Sequence, residues 1–106
     1  KAFSYLMEKP VIDQKCLAKI TNEETENILT ILSNFFMANR RVTISDLKSK
    51  IFSELSNNGI KPGKAMPIIR VALVGKLEGP DLFDLIDFLG KNETIERISL
   101  LQEIIK

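Results

Sequence analysis

Between residues 61 and 76 the chain carries Lys61, Lys64, Arg70 and Lys76 and no acidic side chain. Gly63 sits between the first two lysines, where a missing side chain lets backbone and ammonium groups come close to a phosphate. Arg70 offers a planar fork that pairs with or stacks on a base. The chemistry this pattern suits is recognition of RNA rather than bond making. A solvated loop with scattered lysines has the same composition, and the two readings stand side by side here.

The whole-chain charge hides this stretch. Across 106 residues, 15 Lys and Arg against 14 Asp and Glu leave a formal net charge of +1, which removes the usual argument for a nucleic-acid or membrane-surface protein. Counted in windows, residues 1–60 carry +1, residues 61–76 carry +4 and residues 77–106 carry −4. The basic island therefore coincides with a Gly- and Pro-containing segment and the apolar run after it.

Other candidate chemistries are weaker. With no histidine and one cysteine, the chain lacks the inventory for a Cys/His zinc site, a disulfide or a Ser-His or Cys-His nucleophile pair. Cys16 reads as a small, partly buried residue, and its want of a partner fits a reducing compartment. Asp81, Asp84 and Asp87 recur every third residue and would suit a divalent ion, yet the interleaved Leu82, Leu85 and Ile86 make them the wet face of an amphipathic helix. Phe35 and Phe36, at helical spacing from Leu32, read as core rather than as a stacking platform. No catalytic residue and no metal ligand is assigned.

These side chains need elements to hold them, and the apolar spacing is helical throughout. Ala2 to Glu8 forms a short segment stopped before Pro10. Asp13 to Ile20 is a second. Thr21 to Glu24 fits a capping box for a helix running to about Asn39, with Ile28, Leu29, Leu32, Phe35 and Phe36 on one face. Thr43 caps the next helix, which ends at Asn57-Asn58-Gly59. Ile60 to Lys64 reads as a loop. Met66 to Val74 then forms a helix with Pro67 in its first turn and Gly75 at its end, although its β-branched content would also suit a strand. Gly79-Pro80-Asp81 opens a helix ending at Gly90, with proline at its first position, and Asn92 opens the last. Seven helical segments and no convincing strand predict an all-α bundle.

The length allows one hydrophobic core, so the chain is a single domain or a fragment, and its opening at Lys1 in mid-pattern fits a piece of something longer. No leader and no stretch of about 20 apolar residues is present, which predicts a soluble, cytoplasmic protein without a membrane partner. A monomer is expected.

The order and spacing of several separate blocks resemble a known family. Ile60-Lys61-Pro62-Gly63-Lys64, Pro67-Ile68-Ile69-Arg70-Val71-Ala72-Leu73-Val74-Gly75, Gly79-Pro80-Asp81-Leu82-Phe83-Asp84 and Leu89-Gly90-Lys91, ending in Ile95-Glu96-Arg97-Ile98, resemble the C-terminal anticodon-binding region of bacterial-type glutamyl-tRNA synthetase. Phe3-Ser4-Tyr5-Leu6-Met7 and Thr43-Ile44-Ser45-Asp46-Leu47 extend the resemblance over essentially the whole chain.

The resemblance implies an all-helical, cage-like region that binds the tRNA anticodon loop. Residues 1–20 would end a preceding helical subdomain, and residues 21–106 would form the C-terminal one. ATP and Mg would act in a catalytic domain this chain lacks, so the fragment by itself would not charge tRNA and holds no cofactor. Arg70 matches the arginine of an Arg-x-Ala-x-x-Gly block that faces the anticodon bases. Gly79 and Leu82 match positions lining the same pocket, and Pro62 and Gly63 match a loop closing over it. Lys61, Lys64 and Lys76 join them from the charge count, as phosphate partners. Two departures stand out: Val74 replaces a usual threonine, losing that hydroxyl, and Pro67 lies three residues before the arginine where two is common. The rival reading is a small helical protein-protein interaction module without RNA binding.

Overall fold

The computed structural model describes residues 11–79 and 81–105. Six α-helices and no strand lie among them: α1 Gln14–Ile20, α2 Thr25–Ala38, α3 Ile44–Asn57, α4 Pro62–Val74, α5 Leu82–Leu89 and α6 Lys91–Ile105. The predicted opening segment Ala2–Glu8 and the predicted first-position role of Pro80 fall outside the described residues.

Several helix starts follow the caps that the sequence supplies. The carboxylate of Asp13 accepts from the N–H groups of Lys15 and Cys16, and the hydroxyl of Thr43 accepts from that of Asp46. Asp81 caps α5 directly, accepting from the N–H groups of Phe83 and Asp84. These side chains satisfy amides that have no helical partner in a first turn.

The predicted capping box at Thr21 does not form. The Thr21 hydroxyl instead donates to the Leu17 carbonyl at 2.7 Å and so closes the end of α1. A turn over Asn22 to Thr25 intervenes, and α2 begins at Thr25 behind Glu24, which makes no side-chain cap. Buried Thr25 clamps that turn: its hydroxyl donates to the Ile20 carbonyl at 2.6 Å and accepts from the Asn22 N–H at 2.9 Å. With two helix ends only a few residues apart, each hydroxyl serves the nearer backbone group.

The segment Ile60 to Lys64, expected as a loop, is helical from Pro62 onward. Helix α4 starts at Pro62, so Pro62 and Gly63 are its first turn rather than a loop, and Pro67 lies inside the helix rather than in that turn. Pro62 starts the helix because its fixed φ suits the first position, where an N–H would have no partner. The Lys61 carbonyl takes up the new turn, accepting from Lys64 N at 2.9 Å and Ala65 N at 3.3 Å. Pro67 would ordinarily break a helix by crowding the carbonyl four residues back. That residue is Gly63, an exposed residue of the helix's first turn, where a lost hydrogen bond costs least.

Packing centres on α4 and α6. Helix α2 lies along α6, and α4 contacts α1, α2, α3, α5 and α6. The core draws Leu29, Leu32 and Phe36 from α2, Leu47, Ile51 and Leu55 from α3, Ile69 and Leu73 from α4, Leu85 and Ile86 from α5 and Ile98 and Leu101 from α6. Each such side chain contributes about 1.5–3 kcal/mol by leaving water. Phe35 and Phe36 are buried as predicted, edge to face with ring centres 5.5 Å apart. Cys16 is half-buried against this core.

One charged side chain also lies inside. Arg97 is 2% exposed, its Nε bonded to Glu93 Oε2 at 2.7 Å and its Nη1 donating to the Leu73 carbonyl at 2.7 Å. Leu73 is in the last turn of α4, where a carbonyl has no helical amide to accept from. A buried cation requires such partners, and here they tie α6 to the end of α4. That end is further fixed by Gly75, at φ 79°, whose N–H returns to the Val71 carbonyl. The Gly75 carbonyl accepts from Asp13 N at 2.8 Å, which holds the segment before α1 across the same point.

Candidate RNA-binding site

Arg70 stands in the third turn of α4, half-buried. Beyond the helix the chain turns at Gly75 and passes Lys76, Leu77 and Glu78 to reach Gly79, which returns beside Arg70. A Cβ placed on Gly79 would lie 3.6 Å from Arg70 Nη1. The φ of Gly79 is 147°, a conformation almost confined to glycine, so the close approach and the backbone geometry both call for this residue type.

Next to that contact is a hollow of ≈ 320 Å³ lined by Val74, Lys76, Glu78 and Gly79. Its size is at the small end of ligand sites, which run from about 300 to 1,000 Å³. Gly79 belongs both to the hollow and to the neighbourhood of the guanidinium. A planar group in the hollow therefore has a methyl-lined wall at Val74, a cation at Lys76, an acceptor at Glu78 and the Arg70 fork close by.

The remaining candidates are more scattered. Gly63 lies seven residues before Arg70 and so shares its helix face, while Pro62 and Lys61 are about 12 Å or more away along the axis. Lys64 is about 120° around the helix from Arg70. It points to α2, where its Nζ lies 3.1 Å from Glu24 Oε1, and both side chains are about half exposed. Lys61 and Lys76 are exposed. Leu82, expected to line the pocket, is only 5% exposed and packs in the core at the start of α5, so its side chain is not presented on the surface.

Folding thus revises the charge count. The window 61–76 holds no acid in sequence, yet Glu24 joins Lys64 from across the fold and Glu78 shares the hollow with Lys76. Asp81, Asp84 and Asp87 are all exposed, and Asp81 is occupied in capping α5.

Arg97 is a buried structural residue that the charge pattern does not single out. Its signal was present: it follows Thr94 by three residues and precedes Leu101 by four, so it occupies the apolar face of α6, and Glu93 sits one turn before it. Through Leu73 it anchors the end of α4 from which the Val74–Gly79 segment departs.

Comparison with known proteins bears on this arrangement. Residues 1–101 match a family model described as an anticodon binding domain. The glutamate-tRNA ligase of Flavobacterium johnsoniae is 35% identical over 86 residues, covering 81% of this chain and 17% of that protein. That of Desulfosudis oleivorans is 31% identical over 106 residues, 100% of this chain and 23% of the relative. A crystal structure of a glutamate tRNA ligase from Elizabethkingia meningosepticum in complex with its amino acid superposes with a TM-score of 0.81 at 31% identity, over 93% of this chain and 20% of that one. The chain thus spans about a fifth of the length of the relatives it matches.

Proposed function

The chain belongs to the anticodon-binding domain family, and from that membership we propose that it grips the anticodon loop of a tRNA as the recognition domain of a glutamate-tRNA ligase. The observation that carries the reading is the convergence of Arg70 and Gly79 beside the hollow that runs from Val74 to Gly79. A guanidinium beside a glycine that lines a small recess is suited to reading the edge of an unstacked base.

Arg70 supplies specificity in this reading. The glycine lets the loop backbone come close, and Lys76 and Lys61 neutralise phosphates along the approach. Lys64 contributes in part, because Glu24 already holds its charge. Leu82 acts from the core by placing the start of α5 behind Gly79, rather than by touching the base. The charging reaction is proposed for the parts of the ligase outside this chain.

The protein-contact alternative rests on a different feature. An apolar hollow of ≈ 140 Å³ is lined by Ile12, Ala72, Arg97, Leu100, Leu101 and Ile104, with Leu100 and Ile104 partly exposed. Titration of a labelled anticodon stem-loop at two salt concentrations separates the readings. Binding that weakens as salt rises supports RNA recognition. A full-length chain that binds no stem-loop at low salt refutes it and favours the protein contact.

A further inference from the structure

On α3, Lys48 and Phe52 are one turn apart and point the same way. Both converge on Phe83 of α5: Lys48 Nζ lies 5.5 Å from the Phe83 ring centre, and the Phe52 ring lies 6.4 Å from it at 54°. Phe83 itself is 9% exposed, whereas Phe52 keeps 36% of its surface in water. The arrangement is a buried ring at Phe83 with a cation over it and the partly exposed Phe52 ring alongside.

This strip adjoins the candidate site through the chain. Phe83 is four residues beyond Gly79, so their Cα atoms are no more than about 14 Å apart. A few unpaired nucleotides cover that distance. We propose that α3 supplies a second strip of the RNA-binding face, in which the Phe52 ring stacks on an unpaired base of the loop and Lys48 takes the phosphate beside it. The proposal rests on the anticodon-loop reading above.

Two features choose RNA as the occupant. Stacking needs an accessible ring on a rigid support; Phe52 keeps 36% of its surface in water and is supported by Phe83 and the α3 backbone. The charges also divide the strip. Asp81 at the N-cap and Asp84 in the first turn of α5 repel a phosphate there, which leaves the phosphate to Lys48 on the α3 side. The neutral face of a base fits between them.

Stacking is tolerant of sequence, whereas a guanidinium fork is not, and the test uses that difference. The full-length chain is titrated with anticodon stem-loops carrying 2-aminopurine at successive loop positions, as wild type and as Phe52→Leu, Lys48→Met and Arg70→Ala. Phe52→Leu keeps apolar volume without a π-face, and thermal unfolding checks that each variant folds. The expected result for Phe52→Leu is a loss of about fivefold or more in affinity, whatever the base. A fluorescence change at one loop position should disappear with it. Lys48→Met should lower the slope of log K against log salt by about 0.7. If Arg70→Ala weakens binding while Phe52→Leu and Lys48→Met leave affinity, salt slope and fluorescence untouched, the α3 strip is overturned and the anticodon reading survives. If Arg70→Ala also changes nothing, the anticodon reading itself fails.

Discussion

Arg70 Nη1 lies 3.6 Å from where a Cβ on Gly79 would stand, so a residue in the third turn of α4 and one four positions past its cap form a single feature. Alanine at residue 79 would meet the guanidinium in ordinary contact, but it would also have to adopt φ 147°, which costs about 1–3 kcal/mol. The loop is expected to relax away from Arg70. Gly79→Ala should therefore weaken stem-loop binding with little loss of global stability, and Arg70→Ala should cost about 1–3 kcal/mol in discrimination among loop sequences. The pair combined should lose less than the sum, because each removes the same feature. Full additivity in that double-mutant cycle would separate the two residues.

The pair of Lys64 and Glu24 gives a prediction of opposite sign. Their Nζ and Oε1 are 3.1 Å apart with both side chains about half exposed, so the ion pair is worth about 0–1 kcal/mol to stability. Replacing Glu24 with Gln removes a negative charge next to the basic helix start and releases Lys64. Stem-loop affinity should rise severalfold at low salt with a near-unchanged melting temperature. An unaltered affinity would take Lys64 out of the interface.

Much of this architecture is legible from spacing alone. The apolar faces of α2, α3 and α5 and the caps Thr43 and Gly75 follow from local pattern, since each depends on residues within one or two turns. Thr21 and Pro62 depart from their local pattern for the same physical reason. Both a capping box and a proline-glycine pair have two local uses, and the choice depends on how close the neighbouring helix end lies. Lys64 and Glu24 are 40 residues apart and Arg97 and Leu73 are 24 apart, so no window in the sequence contains those partners. Local pattern marks Arg70 and Gly79 as candidates, and the fold brings them together; the burial of Leu82 is not in that pattern, because the face of an eight-residue helix turned inward depends on its neighbours.

Arg97 bears on the site at one remove. Replacing it with Met would remove the buried charge, take the donor from the Leu73 carbonyl and break the ion pair with the partly exposed Glu93, at a cost of about 2–4 kcal/mol. Chemical denaturation should show that loss for Arg97→Met. Arg97→Lys keeps the charge but cannot serve both acceptors with a planar fork, and should fall between. If Arg97→Met matches wild type in midpoint and slope, the buried pair is not what joins α6 to α4.

Gly75 carries a steric argument with a larger expected effect. Its φ of 79° strains any residue with a side chain, and a Cβ there would come within 2.2 Å of the Val11 carbonyl oxygen. Backbone on the far side leaves no flexible group to yield, so Gly75→Ala must displace either the segment before α1 or the end of α4. About 2 kcal/mol or more of stability should be lost. Amide exchange should report it first at Asp13, whose N–H donates to the Gly75 carbonyl. Retained protection there would show the clash relieved elsewhere.

Asp13 also makes the cap of α1 sensitive to acid. The N–H of Cys16, donating to its carboxylate, holds the pKa below the ordinary value, with the Lys15 N–H and charge adding to the effect and partial desolvation opposing it. A carboxyl whose folded pKa is depressed contributes stability that is fully present above its unfolded value of about 3.9 and disappears as pH falls through the folded pKa. Protonation turns an acceptor for two amides into a poorer one, so α1 should fray below about pH 4 before the core melts. Amide exchange at Lys15 and Cys16, followed from pH 6 downward, is expected to accelerate beyond the intrinsic trend in wild type. In Asp13→Asn, which keeps an acceptor without a titrating group, that excess should vanish; if both proteins behave alike, the acid sensitivity of α1 has another source.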